Sequence, residues 1–144
     1  MAIFDSMHIN ASGLSLERLK LDTISTNIAN VNTTRTAEGG PYVKKEVIFE
    51  ESLKNVASAL NGKPGEKSFG VKATEIAENR DNLVMEYNPT HPDADGNGYV
   101  QMPNVNMADE MIDMITAQRT YDANVTALNA SKDMLKKALE ISIN

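Results

Sequence analysis

The feature that most restricts the fold is a stripe of side chains near the C-terminus. Met107, Met111, Met114, Gln118, Tyr121, Val125, Leu128, Lys132, Leu135 and Leu139 follow one another in alternating steps of three and four residues, and only Gln118 and Lys132 break the apolar run. Ile112, Ile115, Met134 and Ile141 widen it. Asn104 and Asn106 stand where a helix cap belongs. Asp109, Glu110 and Asp113 suit the positive end of a helix dipole, and Lys132, Lys136 and Lys137 its negative end. The expectation is one helix of ~35 residues, ~50 Å long. A chain of 144 residues has no globular body large enough to cover such a helix, so part of its apolar face needs a second helix.

The N-terminus supplies one. Ile3, Met7, Leu14, Leu21, Ile24, Ile28 and Val31 form a heptad-like seam interrupted at Asn10 and Glu17, and Phe4 and Ala11 broaden it toward a second contact. The pattern stops at Asn30-Val-Asn-Thr-Thr-Arg-Thr36, where side-chain oxygens compete for the backbone, and Gly39-Gly40-Pro41 closes the segment. Asn27, Asn30 and Asn32 are read as locking this turn or simply as polar surface.

Between the helices the texture changes. Tyr42–Glu50 carries β-formers with Val43, Val47 and Phe49 on one parity; Phe69–Ala73 and Leu83–Tyr87 are further strand candidates. Ser52–Leu60 is expected as a short helix or loop, and Asn61–Gly65 as a turn. The fold class expected is mainly α with a small β insert: a coiled-coil-like pair of terminal helices carrying a central β-rich subdomain. The boundaries fall at 1–36, 37–103 and 104–144.

Composition excludes several functions. Twenty acidic and fourteen basic residues, net charge −6, with no basic cluster, disfavour nucleic acid. The chain has no cysteine, which removes disulfides and thiol chemistry and leaves it indifferent to the redox state of its compartment. No segment approaches ~18 apolar residues and the N-terminus lacks a basic region followed by an apolar run, so neither a membrane span nor a cleaved signal is expected. His8 and His91 have no metal-binding spacing, no nucleotide loop or nucleophile elbow is present, and no catalytic residue, cofactor or metal is expected. Asp93 and Asp95 are paired carboxylates in a Gly-rich turn, which offers no desolvation for acid catalysis.

The stretch Asp93-Ala-Asp-Gly-Asn-Gly-Tyr-Val100 matches the start of a calcium loop, with Asp93, Asp95, Asn97, Gly98 and Val100 at positions one, three, five, six and eight. Position twelve is Asn104 rather than glutamate, Pro103 precedes it, and Pro89 and Pro92 forbid an entering helix. The expected reading is a chain reversal between Tyr87 and Tyr99. The alternative is a calcium-regulated coiled-coil adaptor switched by residues 93–100. The methionines Met102, Met107, Met111 and Met114 are, at helical spacing, core or interface.

Two long stretches carry a resemblance. Leu21–Thr36, "LDTISTNIANVNTTRT", is similar to the N-terminal signature of the bacterial flagellar axial proteins, and Met107–Ile141 to their C-terminal signature. Rod, hook and hook-associated subunits share both. "GGPYVKKEVIFEE" and Tyr87–Asn106, "YNPTHPDADGNGYVQMPNVN", resemble the proximal-rod members, as does Thr34-Arg35-Thr36, where many axial proteins have a glycine and an aromatic. The resemblance implies a structural, non-enzymatic subunit of the flagellar basal body. It also implies export by the flagellar type III apparatus to a position outside the cytoplasmic membrane, and assembly with itself and other rod subunits. Amphipathic termini agree with this, since head-to-tail contacts that do not close generate helical filaments. The assembly residues expected are Leu14, Leu21, Ile24 and Ile28 in the first helix and Met111, Met114, Tyr121, Val125, Leu128 and Leu135 in the last. The termini are expected to order fully only when subunits pack.

Overall fold

The computed structural model describes residues 2–57, 64–81 and 83–143. Their order is α1 (Ala2–Ala29), β1 (Lys44–Ala57), β2 (Pro64–Asn79), β3 (Val84–Tyr87), β4 (Tyr99–Met102) and α2 (Met107–Ile143). It is the expected architecture, two long terminal helices with a small β region between them.

The helices run antiparallel. Asn27 meets Glu110 near one end and Gly13 lies against Asn124 further along. On α2 the buried positions are Glu110, Ala117 and Ser131, spaced in multiples of seven, with half-buried Met114, Tyr121, Asn124, Leu128 and Leu135 alternating among them. On α1 the buried set is Leu16, Glu17, Thr23 and Asn27. Short and polar side chains thus occupy the deepest positions, which lets the backbones approach: a Cβ on Gly13 would stand 2.9 Å from Asn124 Nδ2.

β1 and β2 form an antiparallel ribbon in register from Lys44↔Asn79 to Ala57↔Pro64, shifted by bulges between Ile48 and Phe49 and between Glu51 and Leu53. It lies along α1. Lys45 sits beside Asn27, Lys20 Nζ lies 4.6 Å from the centre of the Phe49 ring, and the Val71 N–H donates to Ser12 Oγ at 3.1 Å. The closest approach is at Gly70, whose φ is +100°; a Cβ there would overlap Ser12 Oγ and come within 3.2 Å of Ile9 Cα. Only glycine satisfies both the dihedral and the space.

The ribbon corrects one expectation. Ser52–Ala57, expected as helix or loop, is the outer half of β1, because pairing with Pro64–Ser68 supplies its ladder partners and outweighs local propensity. Ser58–Leu60 and Asn61–Lys63 lie outside the described residues, while Pro64 and Gly65 belong to β2 rather than to a turn. The second hairpin joins β3 to β4 from Val84↔Met102 to Tyr87↔Tyr99, and β4 has no counterpart in the sequence expectations.

Few apolar side chains are fully covered: among the described residues, Leu16, Tyr42, Val100 and Ala117. Val100, 2 % exposed, is the inward residue of β4.

Candidate assembly surface and its buried junction

The helix pair is fastened to the β region by a polar junction. Asn27 and Glu110 are each 1 % exposed. The Asn27 amide donates to Glu110 Oε2 at 3.0 Å and to the Lys45 carbonyl at 2.9 Å; its oxygen accepts from the Tyr42 hydroxyl at 2.9 Å and the Lys45 N–H at 3.0 Å. Lys44 Nζ closes the group on Glu110 Oε1 at 2.8 Å. Four hydrogen bonds from three residues, two donated and two accepted, use the full capacity of the asparagine amide. The role expected for Asn27 thus becomes specific: it ties α1 to the first residues of β1 and to the first turn of α2.

The charges of this junction support one another. The hydrogen bond to Glu110 holds the Lys44 ammonium above its ordinary value of 10.5; burial opposes the shift, while the negative charges of Glu110, Glu46 and Asp113 add to it. Burial raises the Tyr42 phenol above 10.0, with Glu110 and Glu78 adding repulsion against the phenolate.

Neighbouring asparagines divide the remaining work. Asn106 caps α2, its oxygen accepting from the Ala108 N–H at 3.0 Å. Asn104, expected as a second cap, instead bridges strands: it donates to the carbonyls of Asn79 (2.6 Å) and Asp81 (2.8 Å) and accepts from the Lys44 N–H at 2.9 Å. Asn30 donates to the Thr26 carbonyl at the end of α1, and Asn32 is exposed surface.

The Asp93–Val100 stretch closes the connection of the second hairpin and enters β4 at Tyr99. Asp95 Oδ1 accepts from the backbone N–H groups of Asn97 and Tyr99, both at 2.9 Å, so the side chain builds the turn. Asp93 Oδ2 accepts from the Thr34 hydroxyl at 2.9 Å, anchoring the loop to the segment after α1. Gly98 has a φ of +82°, and a Cβ on it would stand 3.0 Å from the Tyr87 ring. The rings of Tyr87 and Tyr99 close the hairpin edge to face, 5.3 Å apart. Among the described residues no three histidine, aspartate or glutamate side chains converge as metal ligands would. Asp93 and Asp95 remain tied to separate partners.

The outer surface is apolar in strips. Of the ten assembly residues expected, Met111 is 52 % exposed; Leu14, Leu21, Ile24, Ile28, Met114, Tyr121, Val125, Leu128 and Leu135 are half-buried. The stripe on α2 therefore splits. Met114, Tyr121, Leu128 and Leu135 alternate with the residues buried against α1, whereas Met107, Met111 and Leu139 of the stripe are exposed, as are Ile112, Ile115, Met134 and Ile141. Phe4 and Ile9 on α1 and Ile48, Phe49, Leu53 and Ile76 on the ribbon are exposed as well. A groove of about 300 Å³ runs between α1, β1 and α2, lined by Glu17, Lys20, Thr23, Thr116 and Thr120 among others, and is open to solvent. No described helix is long and apolar enough to cross a membrane.

Residues 7–35 match the family model described as flagella basal body rod protein, and residues 97–141 the model described as flagellar basal body rod FlgEFG protein C-terminal. These are α1 with its following turn, and β4 with α2. The chain is 42 % identical to the flagellar basal-body rod protein FlgC of Bacillus subtilis over 98 % of its own length and 99 % of that protein's. To the FlgC proteins of Borreliella burgdorferi and Salmonella typhimurium it is 41 % and 33 % identical, over 98 % of both chains in each case. The chain belongs to the FlgC family of flagellar basal-body rod proteins.

Proposed function

We propose that this rod subunit leaves the cytoplasm through the flagellar type III apparatus and polymerises outside the cytoplasmic membrane by packing its terminal helices against neighbouring rod subunits. The observation that carries the reading is the imbalance between covered and uncovered apolar surface. Helices of 28 and 37 residues bury few large side chains between them, while Phe4, Met107, Met111, Ile112, Ile115, Met134, Leu139 and Ile141 stand exposed. Monomeric proteins rarely expose apolar strips of this extent without a partner. In this reading segments 1–36 and 104–144 form the packing unit, and the insert 37–103 sits on its flank.

Within it, Leu14, Leu21, Ile24, Ile28, Met114, Tyr121, Val125, Leu128 and Leu135 hold the helix pair in its assembling shape and reach neighbours along its rim, and Met111 makes contact directly. The absence of cysteine suits passage between compartments of different redox state. The test separates export from assembly. Ile112→Asp and Ile115→Asp lie on the exposed face, so the variants are expected to be secreted at the wild-type level and to be missing from purified basal bodies. Normal incorporation of both would refute packing through this face.

A further inference from the structure

The buried junction brings together three reactive groups from three elements: the Lys44 amine at the start of β1, the Asn27 amide near the end of α1 and the Glu110 carboxylate in the first turn of α2. Glu110 touches the other two at once. Its Oε1 lies 2.8 Å from Lys44 Nζ and its Oε2 accepts from Asn27 Nδ2 at 3.0 Å, so one carboxylate spans a nucleophile and the nitrogen of the neighbouring amide.

The Asn27 carbonyl is polarised from its other side. Its oxygen accepts from the Tyr42 hydroxyl at 2.9 Å and from the Lys45 N–H at 3.0 Å, and these donors face the atom that gains negative charge when a nucleophile adds to Cγ. Burial, and after it the charge of Glu110, raises the Tyr42 phenol above 10.0, which keeps the hydroxyl protonated and donating. Asn27 and Glu110 are each 1 % exposed, so bulk water is kept from the reacting atoms.

We propose that this junction is the site of a self-catalysed isopeptide bond, in which the Lys44 amine displaces ammonia from the side chain of Asn27 while Glu110 carries the protons. Glu110 takes a proton from the Lys44 ammonium, and the freed electron pair of Nζ adds to Asn27 Cγ. Negative charge collects on Oδ1, beside the Tyr42 hydroxyl and the Lys45 N–H. Glu110 then gives its proton to Nδ2 and takes the surplus proton of the adduct from Nζ, and the Cγ–Nδ2 bond breaks as the carbonyl re-forms. Ammonia leaves as ammonium with that last proton, through the open groove lined by Lys44, Asn27 and Glu110. One ammonium and one primary amide thus become one substituted amide and one ammonium ion, with no other reactant.

The ion pair sets the pace. The hydrogen bond to Glu110 holds the Lys44 ammonium above 10.5 against the opposing effect of burial, so the neutral amine is scarce and the bond accumulates slowly in the folded chain. Fixed geometry offsets this scarcity, because groups held side by side react as though at very high concentration. The product ties α1 to β1 and restrains the unfolded chain as a disulfide does, in a sequence that has no cysteine.

Freshly purified full-length chain would be incubated folded and, in parallel, in concentrated urea, and followed by intact mass and peptide mapping. The expected result is loss of one ammonia in the folded sample alone, with a linked peptide in which Asn27 is joined to Lys44 and trypsin no longer cuts after Lys44. Lys44→Arg, which keeps the positive charge, should form no link. Glu110→Gln, which keeps an acceptor for Asn27, should form it about tenfold more slowly. Where a variant fails to fold, the wild-type peptide map decides alone. An unchanged wild-type mass would overturn the proposal, as would an ammonia loss that lacks the linked peptide or persists in Lys44→Arg, which marks an asparagine succinimide. Linking as fast in urea or in Glu110→Gln would overturn the role given to the folded junction and its carboxylate.

Discussion

Asn27 of α1 and Glu110 of α2, 83 residues apart in sequence, are joined by a 3.0 Å hydrogen bond in a position where each is 1 % exposed. Glu110 also receives Lys44, so one carboxylate unites both helices and the base of the ribbon. Removing one partner of such a group strands the others. Glu110→Ala is expected to cost about 2–4 kcal/mol, and Glu110→Gln, which keeps an acceptor for Asn27 but loses the ion pair, less than that. Urea unfolding of the three chains checks the order; equal stabilities would show that the junction contributes nothing.

The alkaline limit of stability follows from the same cluster. Lys44 and Tyr42 both bind their protons more tightly in the folded chain than at their ordinary values of 10.5 and 10.0. Their contribution is fully present below those ordinary values and is lost as pH rises through the higher folded ones. Unfolding midpoints are expected to fall above about pH 10. Tyr42→Phe should remove the tyrosine share of that fall and keep the lysine share. A midpoint unchanged between pH 9 and pH 11 would contradict this.

Two glycines with similar backbone make a controlled comparison. Gly70 and Gly39 have φ of +100° and +87°, but a Cβ on Gly70 would overlap Ser12 whereas one on Gly39 meets nothing within 4 Å. Gly39→Ala should cost about 1 kcal/mol, the dihedral penalty alone, and Gly70→Ala clearly more, because ribbon and helix must also separate. Thermal unfolding decides, and equal losses would place the penalty in the dihedral rather than the packing.

The hairpin loop yields a separate expectation. Asp95→Ala removes the acceptor for two backbone N–H groups and should destabilise the chain by about 1–2 kcal/mol. Millimolar calcium should leave the melting temperature of the wild type unchanged. A calcium-dependent rise would revive the loop as a metal switch.

Sparse burial governs the dynamics. With Leu16 and Ala117 the only fully covered apolar side chains between the helices among the described residues, amide protons toward the start of α1 and the end of α2 are expected to exchange quickly in the dilute monomer. Those near Asn27 and Glu110 should be slower. Uniformly strong protection along both helices would refute ordering on assembly.

Much of this was legible from periodicity. The lengths of the helices and their pairing follow from stripes too long for so small a chain to cover, and the Asp95 turn from residues that tolerate left-handed backbone; the antiparallel direction of the pair is known only from the structure. The junction was not legible, because Glu110, Ala117, Asn124 and Ser131 share a face but are polar or small, and a search for apolar repeats passes over them. Their spacing of seven was the available signal. Glu110 read as a dipole charge on an exposed first turn; only the arrival of Lys44 and Asn27 from distant segments makes it a buried link. The outer half of β1 was missed for a related reason, since its partner in β2 determines its state. β4 spans four residues, too short for alternation to register.

The central claim is that this chain is a building block of the rod. It is tested most directly by peptide mass mapping of salt-washed basal bodies from the source organism, beside those of a strain deleted for the chain. Peptides covering α1 and α2 are expected in the wild-type particles, and no assembled rod in the deletion strain. Intact rods formed without the chain would contradict it.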